Sequence, residues 1–454
     1  MDSTLERIYS ITPEQAEQYN KYVMLGNGSH GLCFTHGKGV RLWDNSGKSY
    51  IDCTSQGWAM YLGHSNEEIR QVVYEHMGNL GHLNQNSDSL PRYALAKELI
   101  ELAPKGMDRV LFAVGGSSAI EAAMKIAVKN VPGARHFVSL QDGYHGTSLT
   151  TGAASWISTK SAGVYTGMGQ FTGFNSFLSI LNDVFVRVPN PFLYRWTDTD
   201  NPEDCIDYCL KVMRDTIINS VSGPVAGVIV EPLQASGGQI PLPQRYLQGL
   251  RQICDELGCL LIFDELQTYC RIGDYFAAGK YGVTPDIICL GKALGAGLPI
   301  AAILVREGLE GFGPLGEEVH TFANNSIAQV AALKQLDIIR RDGILDNVNR
   351  IGARFRQRLL QLQQHFPQIG DIRQEGLHVG IEFVKDPATK EPDLIFAQTV
   401  KTAALQMGLI LGEAGYRMNV LKIKPPLIMS ESECDETMEI FTKAVGFAQS
   451  RAGA

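Results

Sequence analysis

The sequence predicts an α/β protein: a large domain on a mostly parallel central sheet, followed by a smaller α+β domain. Three observations carry that prediction. The strand-like runs in the middle of the chain are apolar throughout rather than alternating, as strands covered on both faces must be. They alternate with stretches of helical spacing, the order that lets parallel strands follow one another. Beyond about residue 330 the pattern changes to long helices and then short strands, an α+β arrangement.

Taken in order, residues 1–74 hold a helix over 13–23 and a β-rich piece over 39–50, a segment expected to pack with the small domain and a partner subunit. The large domain is expected over 75–330. Its strands fall at 109–114, 136–140, 225–230, 260–264, 286–290 and 300–305, with helices over 118–130 and 244–257. Helices over 326–341 and 344–366 lead into the small domain, 331–454. An extended stretch over 372–384, a helix around 396–407, a strand at 420–424 and a last helix after 432 follow. A chain of 454 residues needs more than one core.

Composition narrows the class of function. An apolar content of 44% with 19% charged residues fits a soluble, well-packed enzyme. The net charge of −8 argues against nucleic acid or an anionic membrane as partner, because both demand basic surface. No apolar run reaches the length of a bilayer span and the first residues lack a signal-peptide pattern, so a cytoplasmic location is expected. The nine cysteines follow neither a metal-ligand nor a disulfide rhythm, so they read as reduced thiols and no metal is expected. Cys205 and Cys209 could share a helix face but lack a matching histidine pair, and Cys270 lies just past the 260–264 strand.

The most informative residue is Lys292. It ends the apolar run IICLGK and precedes the glycine-rich stretch ALGAGLP. An ammonium at the mouth of a buried strand is costly unless paired or neutralised, which favours a nucleophilic amine that captures a carbonyl. Upstream, the run LLIFD places Asp264 at another strand end. An aspartate and a lysine on successive strand ends point to a pyridoxal phosphate site, with the lysine on the aldehyde and the aspartate facing the ring nitrogen.

Other segments converge on the same sheet edge. Gly115, Gly116, Ser117 and Ser118 follow the first strand and open a helix, an arrangement whose free N–H groups and dipole favour phosphate. The third glycine of a dinucleotide fingerprint and the G-K-[ST] of a Walker loop are both missing, and a plain serine N-cap explains the segment equally well. Tyr144 and His145 follow the second strand, where an aromatic could stack on a pyridine ring. Glu231 ends the 225–230 strand and is followed by a loop containing Ser236. Gln267 lies three residues past Asp264, and Thr321 could offer a hydroxyl to the phosphate.

With these residues assembled, the chain resembles the class III aminotransferases, of the fold type I superfamily of pyridoxal phosphate enzymes. The resemblance runs from about residue 39 to the C-terminus. It rests on LGH (62–64), GGSSAIEAAMKIA (115–127), YHG, EPLQASGG, FDELQT, GVTPDIICLGKALGAGLP (282–299), TFANN and NVLKIKPPL (419–427). It implies a homodimer with each active site at the subunit interface. Lys292 would join the cofactor's aldehyde, Asp264 would pair with the ring nitrogen and Tyr144 would stack on the ring. Gly116, Ser117 and Ser118 would hold the phosphate, with His145 and Glu231 beside the cofactor. Gln267 would approach the ring hydroxyl and Thr321 would reach the phosphate of the neighbouring subunit. Trp58, Ser236, Arg417 and Lys422 would contact substrate.

The chain departs from the family pattern at three places. Residues 269–273 (YCRIG) are one residue shorter and bulkier than the usual glycine-containing loop, which alters the segment expected beside the cofactor. Ser236 stands where many relatives carry a glutamate. Lys422 replaces the arginine that clamps a substrate carboxylate, and a lysine cannot form the bidentate fork. Arg417 is a candidate substitute, and a solvated strand lysine is the alternative reading of Lys422. The implied reaction is ping-pong transfer of an amino group from an amine or amino acid to a carbonyl acceptor. The alternative on the same cofactor is racemisation, epimerisation, decarboxylation or elimination.

Overall fold

The computed structural model describes residues 2–24, 31–157 and 183–452. Strands β1 (Phe34–Lys38), β2 (Arg41–Asp44) and β3 (Ser49–Cys53) form an antiparallel meander. The central sheet then collects β4 (Met107–Ala113), β5 (His136–Leu140), β6 (Phe185–Val188) and β7 (Val225–Val230). After the short hairpin of β8 (Leu233–Gln234) and β9 (Ile240–Pro241) it adds β10 (Leu260–Asp264), β11 (Ile287–Leu290) and β12 (Ala301–Arg306). Its order in space is β4-β12-β11-β10-β7-β5-β6. Ladders from β11 through β6 are all parallel, and β12 runs antiparallel to both its neighbours. The sheet is thus mostly parallel, and every residue of β7, β10 and β11 is buried, which is why those runs carry no polar alternation.

The remaining strands, β13 (Ile369–Glu375), β14 (His378–Phe383), β15 (Leu409–Ala414) and β16 (Val420–Ile423), complete the first sheet in the order β1-β2-β3-β15-β16-β14-β13. Parallel pairing of β15 with β3, Leu409 opposite Ile51, joins the N-terminal meander to C-terminal strands. The stretch expected over 372–384 is a hairpin, turning at Gly376, whose φ of +56° a glycine adopts without strain. The helix expected over 13–23 stops at Asn20.

Helices Glu67–Met77, Leu90–Leu102 and Pro202–Asn219 and strands β6 and β15 go beyond the elements read from the sequence. The helix Gly116–Asn130 lies on the central sheet through Ala119, Ile120, Ala122, Ala123, Met124, Ile126 and Ala127, all buried. Its alanines let the helix approach closely, so that its N-terminus reaches the C-terminal edge where β5, β7, β10 and β11 all end. In open α/β sheets that edge is where ligands bind.

Candidate active site

Adjacent parallel strands place the two principal residues. Asp264 ends β10 with Cys289 of β11 as its register partner, and Lys292 lies two residues past the end of β11. Glu231 follows β7, Tyr144 and His145 follow β5, and Gly116 and Ser117 open the helix after β4. With Gly146, Leu266 and Gln267 these residues line one cavity of about 150 Å³. Lys292 has a φ of +47°, a left-handed conformation unusual for a residue with a side chain. Burial pushes its amine below the ordinary lysine value, against the opposing charges of Asp264 and Glu231.

The carboxylate of Asp264 is fixed from behind. His145 Nδ1 lies 2.8 Å from one oxygen and the Leu266 N–H donates to the other at 3.2 Å. His145 Nε2 is buried without a partner among the described residues. Glu231 ties two loops together by accepting from the N–H groups of Tyr144 at 2.9 Å and Ala235 at 3.1 Å. Burial first, and then the charge of Asp264, push its carboxyl up to about 7.

At the other end of the cavity the helix Gly116–Asn130 presents first-turn N–H groups that have no intrahelical acceptor. Ser118 Oγ caps its own helix, accepting from Gly115 N–H at 3.2 Å and donating to Gly115 O at 2.8 Å. Ser117 Oγ faces the cavity and accepts from Thr147 N–H at 3.3 Å. A Cβ on Gly116 would stand 2.0 Å from Leu266 Cδ2, so the cradle is open only because that residue is glycine. Gly146 has a φ of +135°, and a Cβ there would meet Ser117 Oγ at 2.3 Å. A buried amine, a clamped carboxylate and an anion-accepting helix start around one cavity are a donor set that fits pyridoxal phosphate.

The other residues singled out from the sequence lie outside this cavity. Thr321 is exposed on the surface of its own chain. Ser236 is half-buried and its carbonyl accepts from Gly415 N–H at 2.9 Å. Arg417 sits in the turn between β15 and β16, and lines a neighbouring cavity of about 420 Å³ with Asp142, Trp156 and Tyr416 rather than the one that holds Lys292.

Lys422 is only 6% exposed, which corrects the reading of it as a solvated strand residue. Burial lowers its amine to about 7, against the pull of Glu413. The segment 269–273 does not line the cavity either. Tyr269, Cys270, Arg271 and Ile272 are packed inside, and Arg271 donates to Pro425 O at 2.7 Å, Ser55 Oγ at 3.1 Å and Leu377 O at 3.2 Å. Its bulk fills the core instead of bordering the cavity.

Lys424, which the sequence reading passed over, is fully buried beside Gln267, with its Nζ 2.6 Å from Gln267 Oε1. Trp58 lies between the two lysines, with Lys422 Nζ 4.5 Å and Lys424 Nζ 4.3 Å from its ring centre. The signal was present in the sequence. Positions 422 and 424 are two apart on an extended segment and therefore share a face, so a role for one raises the question of the other.

Among the described residues no group of His, Cys, Asp and Glu could hold a metal ion, and no helix is long and apolar enough to cross a membrane. The family model for class-III aminotransferases matches residues 24–445. A probable 4-aminobutyrate aminotransferase of Bacillus subtilis is 33% identical, over 95% of this chain and 97% of that protein. A leucine/methionine racemase of Thermococcus litoralis is 31% identical, over 90% and 89% respectively. Among solved structures, a Bacillus anthracis aminotransferase is 28% identical with a TM-score of 0.85, covering 98% of this chain and 100% of that one. The chain belongs to the class-III aminotransferases, fold type I enzymes that depend on pyridoxal phosphate.

Proposed function

We propose that this enzyme moves an amino group from an amine or amino-acid donor to a keto or aldehyde acceptor, with Lys292 as its catalytic base. The observation that carries the reading is the pair Lys292 and Asp264, on adjacent parallel strand ends and facing one cavity. Bound pyridoxal phosphate supplies an aldehyde that captures amines and a ring that draws electrons from the bond breaking at the donor's α-carbon.

The chain's own residues supply the rest. Burial keeps the Lys292 amine in the neutral form a base needs, so that Nζ, once displaced by the donor amine, would take the α-proton and deliver it to the carbon that carried the cofactor's aldehyde. Asp264, fixed by His145 and Leu266, holds a proton on the ring nitrogen. The helix start at Gly116–Ser118 receives the phosphate, Tyr144 covers the ring and Gln267 meets the ring oxygen. Lys422 offers a point charge to an anionic group of the substrate, beside Trp58.

The wider assignments belong to the same reading. The enzyme is a cytoplasmic homodimer whose active sites lie at the subunit interface, and Thr321 serves the phosphate of the neighbouring subunit. The division into residues 1–74, 75–330 and 331–454 is supported by the two sheets, since β1–β3 join β13–β16 and leave β4–β12 apart.

The test is spectroscopic and kinetic. The holoenzyme has a visible absorbance band that Lys292→Ala lacks, and turnover requires a keto acid or aldehyde, falling about 10²–10⁴-fold or more in the variant. A protein that binds no pyridoxal phosphate would falsify the reading. Racemisation is the second reading, favoured by the racemase relative. It requires exchange of the α-hydrogen with deuterated water in the absence of any acceptor.

A further inference from the structure

Lys424 lies at the end of a buried hydrogen-bond chain that runs from Gln239 through His378. Gln239 Nε2 donates to Ala235 O at 2.6 Å, which leaves Gln239 Oε1 as the acceptor for His378 Nδ1–H. His378 is fully buried, and burial, with the Arg271 charge beside it, holds its imidazole well below its ordinary value, as burial also lowers the Lys424 amine, so the ring is neutral. Its Nε2 therefore carries a lone pair, which receives Lys424 Nζ–H at 3.0 Å. A second Nζ–H donates to Gln267 Oε1 at 2.6 Å, and the amine lies 4.3 Å from the centre of the Trp58 ring. No carboxylate pairs with Lys424 among the described residues.

The consequence falls on Gln267. With its oxygen occupied by Lys424, the amide group left to face the cavity is the NH₂. We infer that Lys424 is a positioning residue that orients the Gln267 amide so as to direct an N–H at the cofactor's ring oxygen. This rests on the proposed placement of Gln267 against that oxygen. An N–H aimed there stabilises the anionic oxygen and makes the lysine-bound chromophore easier to deprotonate.

The experiment is a pH titration of the visible band in the holoenzyme. In Lys424→Met the midpoint rises by about one pH unit, a tenfold change in the protonation equilibrium. Gln267→Leu raises it by a similar amount, and the double variant shows no further rise, while Lys424→Arg, which keeps the donors, stays near the parent. A Lys424→Met shift that persists in full in the Gln267→Leu background would overturn the inference, because the lysine would then act by a route other than the Gln267 amide. A Gln267→Leu variant with an unmoved midpoint would instead remove the placement of Gln267 on which the inference stands.

Should Lys424→Met fail to fold, Gln267→Glu tests the same orientation. A carboxylate keeps the bond to Lys424 but presents an oxygen to the ring, so the midpoint must rise further than in Gln267→Leu. A midpoint at the parent value contradicts the inference.

Discussion

Lys422 shows how one residue type sets both affinity and its pH dependence. Burial disfavours the charge and lowers its amine to about 7, so it loses its proton as pH rises through neutrality. For a donor bearing a carboxylate, KM rises as pH increases through about 7 to 9, since the point charge that binds the anion disappears. Lys422→Arg, charged throughout this range, flattens that rise. KM measured against pH for a carboxylate donor and for a neutral amine separates the effect, and the neutral amine shows none. The sequence reading identified Lys292, Asp264 and the departure at Lys422, because charged residues at the ends of apolar runs stand out. It could not see that Lys422 is buried, since four-residue β16 has strands on both sides and its cover comes from Trp58, more than 360 positions away in sequence.

At the scale of elements, the helix Gly116–Asn130 illustrates what a single missing methyl does. An alanine at 116 would push Leu266 aside, and Leu266 itself lines the cavity. Gly116→Ala therefore weakens pyridoxal phosphate binding by about tenfold, about 1.4 kcal/mol. Thermal stability of the apoenzyme changes little, because alanine is the better helix residue. Equilibrium titration with the cofactor and a melting curve separate the two effects, and an unchanged Kd contradicts a phosphate cradle at Gly116.

The central strands and this helix were legible from continuous apolar runs and from the glycine-serine start. Helix Leu90–Leu102 was not read, although Ser89 caps it and Pro91 sits in its first turn. Its apolar residues are spread around the helix rather than gathered on one face, and only Leu95 and Leu99 are buried. The hairpin of β13 and β14 read as one extended stretch because Gly376 alone marks the turn between them.

For the whole molecule, the contact between the two sheets is electrostatic as well as apolar. Arg373 on β13 donates to Gly238 O at 2.8 and 2.9 Å and pairs with Glu382 of β14 at 2.7 Å. Arg195, from the segment after β6, reaches the same glutamate. Asp142, in the loop after β5, packs against Gly237 beside this network. Burial raises its carboxyl from 3.8 to about 6. Between those two pH values the unfolded chain releases a proton that the folded chain keeps, so stability falls as pH rises through the window and is level above it. Asp142→Asn removes that part of the fall. Denaturant unfolding at several pH values shows the variant gaining on the parent from about pH 4 to 6, and parallel curves contradict the assignment.

Amino transfer proceeds in two half-reactions, and each can be followed separately in the holoenzyme. Holoenzyme is mixed with an amine donor in the absence of any acceptor, and the visible band is followed before and after a keto acid is added. Amino transfer predicts that the band disappears with the donor alone, one equivalent of carbonyl product per active site being released, and that the keto acid restores it. A band that persists with the donor alone, while the α-hydrogen exchanges with solvent and no carbonyl product forms, contradicts amino transfer.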